Sequence, residues 1–306
     1  MNFRTEIQIK KSAEKINHNQ KILLLGSCFA QNMQVKFAEG GFEAMHPFGA
    51  IYNPYSVANS FKLIAENIAP NPDSLFFQKD KWNSYAFHSS YSNSDKNEAV
   101  RQMTDAVREA NEILNSEKPI IIITLGTSWV YELNETGEIV ANCHHSAASC
   151  FTRRAMEVEE IIEVLKPICS LGKRVIFTVS PVRHLKDGAH ENQLSKSRLL
   201  LAVDRLTKEY ANYEYFPSYE IMLDELRDYR FFADDMAHPT ALAVDYIWER
   251  FSDTYFSENT IDGIKEYEKI VKTEKHKPSN PESEQYLALL EKVKNNKINW
   301  TKKYKN

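Results

Sequence analysis

The chain has 306 residues, 42% hydrophobic and 26% charged, with only 9 Gly and 11 Pro. That composition excludes a chain disordered throughout, a collagen-like repeat and low complexity, and the length allows one large domain or a domain with an appendage. A net charge of −4, from 38 basic and 42 acidic side chains, favours neither nucleic acid nor an anionic membrane as partner.

No apolar run approaches the ~20 residues that cross a bilayer. Residues 1–12 are charged and lack an apolar signal core, so the expected location is cytoplasmic. Four cysteines (Cys28, Cys143, Cys150, Cys169) are too sparse for a disulfide scaffold and agree with a reducing compartment.

In chain order, the run Ile22-Leu23-Leu24-Leu25 predicts a strand buried on both faces, the mark of a parallel sheet. Phe29, Met33 and Phe37 follow at helical spacing, and a short strand is expected near residues 42–46. Residues 71–97, rich in Ser, Asn and aromatics, read as a long connection. Ala106, Val107, Ala110 and Leu114 mark a helix over residues 100–114.

A second buried strand is Ile120-Ile121-Ile122-Ile123, followed by a hairpin over residues 130–140 with Gly137 in its turn. The strand Val175-Ile176-Phe177-Thr178-Val179 comes next, then a polar stretch over residues 184–200, a strand near 213–216, and an apolar helix over 241–251. Alternation of strands and helices predicts a three-layer α/β/α sandwich over residues 1–255. Residues 256–306 read as a helical extension, two helices separated by Lys277-Pro278-Ser279-Asn280-Pro281. Residues 265–306 hold 11 Lys against 6 Glu, interleaved as on a solvated helical face.

The chemistry concentrates at two places. Ser27 stands at the turn from the first strand into the first helix, where free backbone N–H groups and the positive dipole end favour an oxyanion beside a hydroxyl; the same position also suits a plain N-cap. Far along the chain, Pro239 suits a first helical position and keeps His238 on the preceding loop at the sheet's carboxyl edge, with Asp235 three residues before it. A serine hydroxyl needs a base, commonly a His oriented by a carboxylate.

Gly26-Ser27 at the first strand with the late Asp235-x-x-His238 resembles the pattern of SGNH (GDSL-like) hydrolases, and Gly26-Ser27-Cys28-Phe29-Ala30 spells the signature of the GSCFA family within that clan. The resemblance implies a flavodoxin-like sheet, with Ser27 as nucleophile, His238 as general base and Asp235 as its orienting carboxylate. It also implies an oxyanion hole from the N–H groups of Ser27 and Gly49, with Asn53 close behind. Where the family pattern has Gly-x-Asn, this chain has Gly126-Thr127-Ser128, so Ser128 stands where an amide donor is expected.

The implied activity is hydrolysis or transfer of an ester's acyl group, a small one such as acetyl on a carbohydrate, with no metal or organic cofactor. Arg183, His184, His190 and Lys196 are the candidate substrate-binding residues. The alternative is a non-catalytic carbohydrate- or protein-binding module on a degenerate pocket, for which Ser128 and the aromatics Phe76, Phe77, Trp82, Tyr85, Phe87 and Tyr91 speak. Cys143-His144-His145 with Cys150 lacks the second paired cluster of a zinc site. Cys28 reads as a structural thiol.

Overall fold

A computed structural model describes residues 4–169, 171–276 and 282–305. The main sheet has five strands: β1 (Ile22–Gly26), β2 (Ala44–Met45), β3 (Ile120–Leu125), β4 (Arg174–Val179) and β5 (Tyr213–Tyr215). Their order is β5-β4-β3-β1-β2, and every pairing is parallel. This is the flavodoxin-like order, whose switch point lies between β1 and β3.

The central strands β1 and β3 are almost wholly apolar because both faces are covered. Ile22 and Leu24 of β1, with Ile120 and Ile122 of β3, enter one core with Phe29, Met33 and Phe37 of α1 (Cys28–Glu39). The intervening Leu23, Leu25, Ile121 and Ile123 enter the other core. Period-two alternation thus divides each strand between two helical layers. Behind the second face lie α2 (Pro54–Ala65), α3 (Lys96–Leu114), α4 (Val158–Cys169) and α5 (Gly188–Glu209). The first face is closed by α1 and by α6 (Ala241–Tyr255), through Ile247, Trp248 and Phe251. The three-layer α/β/α expectation is met.

Three local expectations change. The hairpin after β3 is a three-stranded antiparallel sheet, in which Trp129–Leu133 pairs with Ile139–Val140 and also with Phe151–Ala155. The polar stretch after β4 is mostly helical, a 3-10 turn over Leu185–Asp187 followed by the first turns of α5, which begins at Gly188. Pro239 precedes the helix instead of opening it: it bridges to Phe232, and Thr240 is the N-cap, its hydroxyl accepting from Ala243 N–H.

Most of the aromatic connection over residues 71–97 packs on the protein. Phe87 is buried and stacks on Phe48 at 4.4 Å, while Phe76 stacks on Tyr85 at 4.2 Å. The His144 Nε2 lies 2.7 and 3.0 Å from the carbonyls of Ser84 and Phe87, pinning this connection to the inserted sheet.

Beyond residue 255, α7 (Glu258–Glu274) and α8 (Glu284–Tyr304) form the expected extension, while residues 277–281 lie outside the described ones. The extension docks where α1 ends. Trp300 is buried, donates its Nε1–H to the Gly263 carbonyl at 2.8 Å and packs edge-on against His18 at 4.8 Å. Because α1 leaves the carboxyl edge of β1 and runs back, this dock lies at the opposite edge of the sheet from Ser27.

His18 sits inside that dock, 3% exposed, with Nε2 at 3.0 Å from the Gly40 carbonyl. Burial lowers its pKa to about 4, outweighing the raising effect of that hydrogen bond. An unfolded histidine titrates near 6.5, so between pH 6.5 and 4 the unfolded chain binds the extra proton and acid costs stability; above that window the His18 contribution is fully present. We predict that unfolding free energy in this window falls more steeply for the wild type than for His18→Gln, by up to about 1.4 kcal/mol per pH unit. Urea titrations at several pH values read this, and equal slopes would remove His18 from the acid response.

Candidate active site

Ser27 is held by the geometry of Gly26. That glycine has φ +124°, and a Cβ there would lie 2.0 Å from the Thr124 carbonyl oxygen. Only glycine lets β1 pass so close to β3 and turn at once into α1. Ser27 follows as the N-cap of α1, 1% exposed, its Oγ accepting from Phe29 N–H at 3.3 Å. Among the described residues this is the only hydrogen bond of its side chain.

The Ser27 N–H donates to the Thr124 carbonyl at 3.0 Å, continuing the sheet. It is therefore not free for an oxyanion, contrary to the expectation drawn from the sequence. Ser128 departs from expectation as well. It is fully buried, and its N–H and hydroxyl both go to Ser195 Oγ, at 2.8 and 3.2 Å.

Two of the expected donors remain. Gly49, with φ +69°, makes no backbone N–H hydrogen bond among the described residues. Asn53 uses its Oδ1 to cap α2, accepting from Ser56 N–H at 2.8 Å, which leaves its Nδ2 without a partner among the described residues. Asn53 is buried and lines the cavity described below. The sequence signal for its cap was the Asn53-Pro54 pair, since Pro suits the first helical position.

The second half of the site is a short loop. Asp235 accepts from the N–H groups of Ala237 and His238, both at 2.9 Å through Oδ1, and its Oδ2 lies 2.6 Å from His238 Nδ1. Met236, between them, takes the left-handed φ of 55° that closes the turn. The His238 and Ala237 backbone N–H groups, then the imidazole bond, hold the Asp235 carboxyl down at about 2. The carboxylate is thus ionised at any pH where an imidazole changes charge. His238 is about half exposed, and no hydrogen bond joins it to Ser27 among the described residues.

The remaining candidates divide. Arg183 lays its guanidinium over the Phe232 ring at 4.2 Å, and its backbone N–H donates to the Ala237 carbonyl at 3.1 Å, tying the end of β4 to the Asp235–His238 loop. His184 faces Tyr52 edge-on at 5.6 Å; its Nε2 is buried without a partner among the described residues, and burial lowers its pKa to about 4. His190 is exposed on the first turn of α5.

Lys196 departs most sharply from its expected place as a substrate-binding residue. It is fully buried, and its Nζ donates to the Gly126 and Ser180 carbonyls at 2.7 and 2.8 Å, across the ends of β3 and β4. Burial lowers its pKa to about 7. Cys28 keeps its proton, since burial raises its pKa.

A cavity of about 480 Å³ is walled by Tyr52, Asn53, Thr127 and His184 on the sheet side and by Trp129, Tyr131 and Arg153 of the inserted sheet on the other; Ser27, Gly49, Asp235 and His238 do not line it. Of the aromatic-rich connection, only His88 reaches it. Sequence reasoning missed Tyr52, Trp129, Tyr131, Asn142, Arg153, Lys186 and Asp187 among the lining residues. Tyr52 was signalled only by its place beside Asn53, and Tyr131 was read as a hairpin residue alone.

A mixed α/β protein with a small-residue turn at the switch point and an Asp-His loop at the same sheet edge is the class defined here. Residues 21–251 match the GSCFA family, and the chain belongs to that family. No curated protein and no solved structure matches it.

Gly49 gives a direct test of the site's construction, because a Cβ there would lie 2.5 Å from His88 Cβ. Gly49→Ala should cost about 1–3 kcal/mol from the left-handed backbone and the clash, read as a lowered urea midpoint. A variant as stable as the wild type would show that this loop gives way freely.

Proposed function

We propose that this protein is a serine esterase or acyltransferase of the SGNH type, with Ser27, His238 and Asp235 as its triad. The observation that carries the reading is the Asp235–His238 pair, locked by two backbone N–H groups on the carboxyl edge where Ser27 opens α1. Asp235 accepts the Nδ1–H of the neutral imidazole as a hydrogen bond, leaving Nε2 as the base. No hydrogen bond joins His238 to Ser27 among the described residues, and the reading requires that bond to form when substrate arrives, as catalytic hydrogen bonds often tighten only in the complex.

In the reaction, His238 Nε2 accepts the Ser27 Oγ proton while Oγ bonds the ester carbonyl carbon. The carbonyl oxygen becomes an oxyanion, which we assign to the Gly49 N–H and Asn53 Nδ2 instead of Ser27 N–H and Ser128. Collapse breaks the ester C–O bond, and the alcohol leaves with the proton from His238. Water or an acceptor hydroxyl then gives its proton to His238 and attacks the acyl-serine; as the Ser27 C–O bond breaks, His238 returns that proton to Oγ and the acid or a new ester is released. Lys196, bridging the ends of β3 and β4, keeps their carbonyls turned inward and so fixes Thr127 and the Ser180–His184 segment around the site.

Mass-spectrometric labelling with a fluorophosphonate tests the reading. The expected result is one adduct on Ser27, absent in Ser27→Ala and His238→Ala, with kcat on acyl esters falling about 10⁴-fold in Asp235→Asn. No adduct under conditions that label a control hydrolase would turn the reading to a binding module, and an adduct on Cys28 would name a different nucleophile.

The oxyanion assignment has its own test. Asn53→Asp keeps an oxygen to cap α2 but removes the amide donor, and should lower kcat about 10²–10³-fold. Ser128→Ala should stay within a few-fold of wild type, because its hydroxyl serves Ser195. The reverse ranking in steady-state assays would restore Ser128 to the hole.

A further inference from the structure

The cavity lined by Asn53 and His184, whose walls do not include Ser27, His238 or Asp235, has a charge pattern that specifies more than an ester. Its charged lining residues are Arg153, Asp187 and Lys186. Arg153 and Asp187 cancel each other in a two-pronged ion pair, and the guanidinium is further fixed over the Trp129 ring at 4.2 Å. The remaining titratable groups are uncharged near neutrality. Burial lowers the pKa of His88 and His184 and raises those of Tyr52 and Cys143.

Lys186, which is exposed, brings the lining to one net positive charge, although Asp187 acts on it as well. Its Nζ donates to the Tyr131 hydroxyl at 3.0 Å and forms no ion pair among the described residues. Around it stand Asn142, whose Oδ1 accepts from His144 N–H at 2.9 Å, together with Thr127 and Asn53. The amide nitrogens of both asparagines are without a partner among the described residues. A space of about 480 Å³ with aromatic walls, the Asn142 amide donor and one net positive charge suits a ring-sized polar ligand with a single negative substituent.

Resting on the esterase reading, we propose that this cavity holds the alcohol part of the ester, a ring carrying one carboxylate or phosphate group, and that Lys186 is the residue that selects it. The inserted three-stranded sheet, which supplies Trp129, Tyr131 and Arg153, is then the specificity element of this fold. Asp187 plays the complementary part, because by neutralising Arg153 it limits the cavity to one net positive charge.

The test separates binding from turnover. In full-length Ser27→Ala, which consumes no ester, calorimetry compares 4-acetoxybenzoate with its neutral counterpart 4-acetoxybenzamide, and 4-acetoxyphenyl phosphate serves as the phosphate arm. At least one of the two anionic probes should bind about ten-fold more tightly than the amide, with the stronger of the two naming the group, and Ser27→Ala/Lys186→Gln should lose that preference. Equal binding of all three probes, or a preference that survives Lys186→Gln, would overturn the proposal. The esterase reading fails separately, if the wild type hydrolyses none of the three although the anionic preference is present.

Discussion

The close approach of Gly26 to Thr124 is the constraint on which the rest of the site depends. β1 and β3 are neighbours at the switch point, and their backbones come so near that no side chain fits at residue 26. The chain turns there directly into α1, so the residue after the glycine becomes an N-cap on the sheet's carboxyl edge. Two features of Ser27 follow from this position: its low exposure and its helix-terminal field. The same closeness takes its N–H into the sheet, and so leaves the proposed oxyanion to the donors assigned on the segment after β2.

That segment is held from several sides. The Ile51 N–H donates to the Gly26 carbonyl at 2.9 Å, and the Tyr52 carbonyl accepts from the N–H groups of Gly126 and Thr127 at 2.8 and 3.1 Å. Lys196 then joins Gly126 to Ser180 from beneath. The strand ends thus form one hydrogen-bonded rim. A buried lysine without a carboxylate partner is costly, and here two carbonyls at short range offset the cost. The rim links the Ser27 turn, the Asn53 cap and the β4 end, while Arg183 N–H extends it to the His238 loop.

The inserted three-stranded sheet adds to this frame without altering it. Its strands pair among themselves, and Met156 N–H returns to the Ser128 carbonyl at 2.8 Å, so the insert leaves and re-enters the domain close to one point. Such a unit is able to vary in sequence while the rim stays fixed, which fits the placement of specificity on it. The helical extension, by contrast, serves the opposite edge, where Trp300 and His18 close the end of α1.

The amino-acid sequence by itself determined the layers and the local devices. Runs such as Ile120–Leu125 have no polar face and are stable only between two helical layers, and Gly26-Ser27 and Asp235-x-x-His238 encode their turns within a few residues. Tertiary structure decided whatever depended on partners distant in the chain. The third strand of the insert, the burial of Lys196 under Gly126 and Ser180, the loss of Ser128 to Ser195, and the meeting of Asn53, Trp129 and Lys186 around one cavity all join residues far apart along the chain. A hydrophobic period or a cap is a local free-energy preference and can be read along the chain, whereas a hydrogen-bond partner supplied by another strand exists only once the sheet has brought the two together.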